Sequence, residues 1–242
     1  MAKMQSVLRL LYPPHCLGCN SVVAEEGALC GNCWREARFL SGALCDACAV
    51  PLPGDADPGG HLYCDRCLEV PRPWDHGRAA MIYAGTGRRL ILGLKNSGRI
   101  DLAVPAGKWI AQAARDIVGQ STLVAPVPSH WLRRIQRRYS PSELIANAAA
   151  QALGLSCAPD LLLKPRRTPK MDGLSAYARY ENARGAFEAN PRQRLRMAGR
   201  HILLIDDVMT TGATLKEATE ICLEAGAHKV SVAVLGRVAD EV

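Results

Sequence analysis

The sequence predicts an α/β protein: a mostly parallel sheet flanked by helices, preceded by a small cysteine-rich module that needs metal to fold. Three observations carry this. From residue 78 onward, apolar runs of strand length alternate with stretches of helical period. Four Cys-x2-Cys pairs lie ahead of that alternation. The charge divides with them: residues 1–77 hold 6 Lys/Arg against 9 Asp/Glu, whereas residues 78–242 hold 24 against 14. We expect a metal-binding module over residues 1–75 and a larger α/β domain over residues 76–242.

The cysteines are spaced Cys16-x2-Cys19-x10-Cys30-x2-Cys33 and Cys45-x2-Cys48-x15-Cys64-x2-Cys67. The intervening chain is rich in turns (Pro51, Pro53, Gly54, Pro58, Gly59, Gly60) and has little hydrophobic period. Such a segment buries too little apolar surface to fold unaided. Each Cys-x2-Cys knuckle brings two thiolates to one metal, and two knuckles complete a tetrahedral zinc site. Zinc bound in this way contributes roughly 10–16 kcal/mol of apparent binding free energy, which substitutes for a core. Redox chemistry would not call for four copies. We expect two structural zinc ions and sequential pairing of the cysteines, with interleaved pairing left open. His15 and His61 are read as bystanders, and Cys157 and Cys222 as core or surface thiols.

In the larger part, Arg78–Tyr83 reads as a strand and Arg88–Lys95 as a helix. Asp101–Val118 reads as a longer helix with an alanine-rich face, and Thr122–Val127 as a short strand closed by prolines. Ser142–Leu153 is a helix with Gly154 as its stop. Residues 164–200 are basic and polar, with little period. His201–Ile205 is a buried-strand pattern, and the helix after it ends at Gly226. Val230–Leu235 is the last strand.

The run from His201 carries the chemistry. An apolar strand delivers Asp206-Asp207 to the carboxyl end of the sheet, where α/β proteins bind ligands. Val208-Met209 and Thr210-Thr211-Gly212-Ala213-Thr214 then lead into a helix, offering backbone N–H groups, hydroxyls and a helix N-terminus to a phosphate. The carboxylates suit vicinal ribose hydroxyls. Each hydrogen bond to a charged phosphate is worth roughly 1.5–3 kcal/mol. A Gly-Lys-Ser/Thr phosphate loop is absent, and Gly85-Thr86-Gly87 lacks the third glycine of a dinucleotide fingerprint.

This run resembles the phosphoribosyl-diphosphate (PRPP) loop of the type I phosphoribosyltransferases. The resemblance implies that Asp206 and Asp207 hold the ribose hydroxyls, that Thr210 to Thr214 hold the 5′-phosphate, and that Val208 and Met209 complete the PRPP site. In a transferase, Mg²⁺ would accompany PRPP and Asp206 or Asp207 would assist as a base. Pro126-Val127-Pro128-Ser129 resembles the diphosphate loop of the amidophosphoribosyltransferase branch, with His130 where glycine would follow. Lys95 and Arg138 are the further candidates for the diphosphate.

Leu10-Leu11-Tyr12-Pro13-Pro14 opens onto Cys16-x2-Cys19, Ile91–Lys95 precedes Gly98, and Arg179, Asn182, Gly185 and Phe187 follow Arg166-Arg167-Thr168. With the double cysteine pattern, these resemble the ComF competence family over nearly the whole chain. The sequence departs from the usual family text at Arg138-Tyr139-Ser140-Pro141 and at Lys170-Met171. Membership implies a double zinc ribbon, a phosphoribosyltransferase domain and a part in bringing single-stranded DNA into the cytoplasm. Residues 130–200 hold 14 Lys/Arg against 5 Asp/Glu, a density suited to a diphosphate or a nucleic-acid backbone.

Three functions are therefore weighed: a DNA-uptake factor that binds PRPP, a phosphoribosyltransferase with an unidentified acceptor, and a PRPP sensor without turnover. Single-stranded DNA and competence proteins are the expected macromolecular partners. No apolar run reaches the length of a membrane span and no export signal is recognisable, so we expect a cytoplasmic protein.

Overall fold

A computed structural model describes residues 12–54, 60–130, 139–166, 168 and 175–239. In chain order the elements begin with two short helices, α1 (Gly31–Ala37) and α2 (Asp65–Glu69), each entered directly from a cysteine. Then come β1 (His76–Ile82), α3 (Gly85–Asn96), α4 (Ala103–Ala114), β2 (Leu123–Pro126) and α5 (Pro141–Leu153). Short strands β3 (Ser156–Cys157) and β4 (Leu162–Leu163) precede α6 (Ala176–Ala183) and β5 (Glu188–Ala189). The chain closes through β6 (His201–Met209), α7 (Ala213–Glu224) and β7 (Lys229–Arg237).

Five strands form one sheet in the order β1-β7-β6-β2-β3, and every neighbouring pair is parallel. The predicted fold class is what the chain adopts. Strand β6 lies at the centre, and its Ile202, Leu203, Leu204 and Ile205 are all fully buried. The twofold period of a strand sends alternate side chains to opposite faces. Ile202 and Leu204 pack with Leu215, Ala218 and Cys222 of α7, with Trp74, and with Cys45, Cys48 and Cys67. Leu203 and Ile205 pack with Ile91 and Leu94 of α3, Ile110 of α4 and Ile145 of α5. The second group of cysteines is thus part of the core on one face of the sheet.

Several element boundaries differ from the sequence reading. Asp101–Val118 is not one helix: α4 is flanked by single 3₁₀ turns at Ile100–Leu102 and Arg115–Ile117. Residues 164–200 contain α6, capped by the Ser175 hydroxyl accepting from the Ala178 N–H at 3.2 Å, and β5, which pairs with β4. Strand β6 runs four residues past Ile205, because β7 offers it partners as far as the Met209–Arg237 pair. Gly154 does end α5, at φ +70°, with its N–H on the Ala150 and Gln151 carbonyls.

Candidate functional site: a phosphate-type loop and two cysteine clusters

The eight metal-ligand candidates assemble in sequence order. Cys16, Cys19, Cys30 and Cys33 form one cluster; Cys45, Cys48, Cys64 and Cys67 form the other, and within each the sulfurs lie within 4.8 Å of one another. The Cys19–Cys30 and Cys48–Cys64 sulfur separations are 3.6 and 3.7 Å. Disulfide sulfurs stand about 2.0 Å apart, whereas tetrahedral bonds of about 2.3 Å to zinc leave sulfurs about 3.8 Å apart. The donor set and spacing fit zinc, and the chain carries two four-cysteine zinc-ribbon sites. Pairing is sequential, as expected. His15 and His61 are outside both clusters; His61 Nδ1 instead lies 2.8 Å from Asp46 Oδ2, as His76 Nδ1 does at 2.9 Å.

The loop after β6 is built from the sheet upward. Asp206 and Asp207 sit within the strand, still in register with β7 through the Asp206–Val234 pair. Asp206 Oδ1 accepts from the Asp207 N–H at 2.9 Å and from Ser142 Oγ, at the start of α5, at 3.0 Å. Burial, then the neighbouring Asp207 charge, pushes the Asp206 carboxyl up to about 7, against the opposing pull of Lys95 and the two hydrogen bonds. Asp207 Oδ1 lies 2.8 Å from Lys95 Nζ on α3. Burial is the largest single influence and works against the Lys95 charge, but Asp207, Asp206 and Tyr83 together raise the lysine above its ordinary range.

Thr210 and Thr211 then turn the chain, and Gly212 takes the left-handed conformation, φ +83°, immediately before α7. A Cβ there would meet Trp74 at 3.0 Å and Arg72 at 3.2 Å, so crowding adds to the backbone preference for glycine. Asp206, Val208 to Leu215 and Arg179 line a single concavity. The Nε of Arg179 is buried and has no hydrogen-bond partner among the described residues. A buried donor of this kind costs free energy unless something accepts from it.

Pro126 ends β2, and the Val127 N–H donates to the Ile205 carbonyl at 2.8 Å. Pro126, Val127, Pro128 and Ser129 therefore flank β6 next to Asp206 but are not among the residues lining that concavity. Arg138 lies outside the described residues, as do Arg167, Lys170 and Met171. Sequence reasoning missed Ser142, Tyr180, Arg72 and Arg237 as neighbours of the site. Tyr180 Oη and Arg72 Nη1 donate to the Thr211 carbonyl at 3.0 and 2.8 Å, and Arg237 Nη1 donates to that of Thr210 at 2.9 Å. Arg179, by contrast, stands among the residues on which the ComF resemblance rests.

Fold and site define a phosphoribosyltransferase-type domain joined to a double zinc ribbon. Residues 7–68 match the double zinc ribbon domain and residues 142–241 the phosphoribosyl transferase domain. The chain is 31% identical over 235 residues to DNA utilization protein YhgH of Escherichia coli O157:H7, covering 94% of this chain and 99% of that protein. It is 26% identical to Competence protein F of Haemophilus influenzae, covering 92% of this chain and 95% of the relative. Among solved structures, the glutamine PRPP amidotransferase of B. subtilis superposes with TM-score 0.40 at 21% identity, over 60% of this chain and 30% of that one. The chain belongs to the ComF family, which contains these DNA-utilization and competence proteins.

Proposed function

We propose that this protein binds Mg²⁺–PRPP at the loop after β6 and acts in the handling of DNA taken up by the cell. The observation that carries the first part is a single concavity lined by a left-handed Gly212 turn into α7, by Asp206 and by Arg179, whose buried Nε has no hydrogen-bond partner among the described residues. A phosphorylated sugar fits this lining: its oxygens suit the backbone N–H groups around the start of α7 and the Arg179 Nε, and its hydroxyls suit the Asp206 carboxyl. Mg²⁺ supplies charge on the diphosphate oxygens and takes most of its ligands from substrate and water. Asp206 and Asp207 would offer it carboxylate oxygens, Asp207 from a contact it now makes with Lys95. Lys95 and the Pro126–Ser129 turn, which lie outside the residues lining the concavity, are the proposed diphosphate contacts on the strength of the family resemblance. The same reading divides the chain near residue 75.

Transfer of the phosphoribosyl group to an acceptor, or sensing of PRPP without turnover, would use this same cleft. Both begin with binding, so binding is the measurement to make. Calorimetric titration of Mg²⁺–PRPP into the zinc-loaded protein is expected to give one site, and the Asp206→Ala/Asp207→Ala variant to lose it. A folded wild type that takes up no heat would sink the reading.

The DNA role draws on the names of the relatives and on the +10 balance of residues 78–242 (24 Lys/Arg against 14 Asp/Glu). A single-stranded oligonucleotide held by those charges should bind more weakly as salt rises, by about 10³-fold or more between 50 and 200 mM if six phosphates are engaged. Affinity that ignores salt would leave a partner protein, not DNA, as the contact.

A further inference from the structure

We infer that the second zinc cluster sets the shape of the phosphate-type loop, with Arg72 and Arg237 as the positioning residues that join them. This deepens the PRPP reading and rests on it for the identity of the ligand.

Each arginine reaches a ligand sulfur with one nitrogen and loop carbonyls with another. Arg237, only 4% exposed at the end of β7, donates from Nη2 to Cys48 Sγ at 3.7 Å and from Nε to the Cys48 carbonyl at 2.8 Å. Its Nη1 donates to the carbonyls of Met209 at 3.2 Å and Thr210 at 2.9 Å, and also to that of Val238. Arg72 donates from Nε to Cys67 Sγ at 3.5 Å and from Nη1 to the Thr211 carbonyl at 2.8 Å. Trp74 braces the same contact: its Nε1 donates to the Ala47 carbonyl between two ligand cysteines at 2.6 Å, and its ring lies under Arg72 and against Gly212.

Three consecutive carbonyls, those of Met209, Thr210 and Thr211, are thus held toward the cluster. In a planar trans peptide the next N–H points the opposite way. Holding these carbonyls turns the N–H groups of Thr210, Thr211 and Gly212 toward the concavity, the orientation an anion needs. Charge favours the same arrangement. Zinc with four thiolates carries about two negative charges, and two guanidinium ions offset them in a buried setting. A lysine cannot substitute, because one ammonium does not span a sulfur and a carbonyl in fork geometry. The first cluster is built differently. Its sulfurs lie near Ser21 Oγ at 3.2 Å and the N–H groups of Gly18 and Cys30 at 3.3 and 3.2 Å, with no arginine on them among the described residues.

The test compares wild type with Arg72→Lys, Arg237→Lys and, as a control, Arg99→Lys, whose parent side chain touches the first ribbon at the Leu17 carbonyl. Three quantities are read: Mg²⁺–PRPP affinity, amide hydrogen exchange of Thr210 to Leu215 without ligand, and zinc release to a chromogenic chelator. Arg72→Lys, still folded and holding two zinc ions, is expected to lose PRPP affinity on the order of tenfold. Its loop amides should exchange faster, and one of its two zinc ions should leave faster; Arg99→Lys should match wild type in all three. Arg237 is buried, so Arg72→Lys decides the matter if the Arg237 variant does not fold. A folded, two-zinc Arg72→Lys protein with wild-type exchange and zinc release overturns the inference. Wild type that binds no PRPP removes the functional reading alone, since exchange and zinc release still report the coupling.

Discussion

Asp206 shows how one side chain is tuned by its place in the strand. Its carboxyl is raised to about 7 by burial first and by Asp207 second. An ordinary aspartate titrates near 3.9 in an unfolded chain. Between those values the folded protein holds a proton that the unfolded chain has released, so stability declines as pH rises through the window. Asp206→Asn removes that dependence while keeping an acceptor for Ser142 and the Asp207 N–H. Thermal melts should show the variant gaining on wild type from about pH 4 to about pH 7, and by a constant margin above. Equal melting temperatures at pH 8 would mean that Asp206 is not held protonated. Lys95 acts in the opposite sense on Asp206, and its contact with Asp207 leaves the strand end with one formal charge balanced.

At the scale of elements, the junction of β6 and α7 is the most constrained part of the site. Gly212 combines a left-handed backbone with two neighbours at contact distance. Gly212→Ala should cost about 1–2 kcal/mol from the backbone alone, with Trp74 crowding added. Urea unfolding should show a lower midpoint at unchanged slope. An unchanged midpoint would mean that the loop relaxes freely away from Trp74. The helices on the other face of the sheet matter here through α5, whose Ser142 fixes the Asp206 rotamer, and α3, whose Lys95 fixes Asp207.

At the scale of the whole molecule, the two zinc sites differ in exposure. In the first, Cys16 and Cys33 are buried, Cys30 is half-buried and Cys19 exposed; in the second, Cys64 is half-buried and Cys45, Cys48 and Cys67 are buried within the core on one face of the sheet. Chelation should therefore release zinc in two phases. The first phase should leave the far-ultraviolet dichroism of the sheet and helices nearly intact, and the second should collapse it, because the cysteines of that site are core residues. A single phase, or loss of sheet signal in the first, would contradict this. Among the described residues no helix is long and apolar enough to cross a membrane.

Periodicity, turn residues and short-range motifs are local properties, and what they govern was legible. The alternation of strands and helices, the Gly154 stop, the two four-cysteine groups and the Asp206–Thr214 run could all be read from neighbouring residues. Longer-range facts could not. That β6 continues through Asp206 and Asp207 depends on a β7 partner about 28 residues away, as for the Met209–Arg237 pair. That Arg72 and Arg237 meet at one loop depends on contacts spanning 139 and 27 residues, and neither arginine stands in a spacing that marks it. By itself the sequence determined the family, the two four-cysteine groups and the strand-to-helix run through Asp206 to Thr214, since each is written in short-range spacing. Only the tertiary structure decided which zinc site touches that loop, because packing a ribbon against one face of the sheet is a choice made by the whole core.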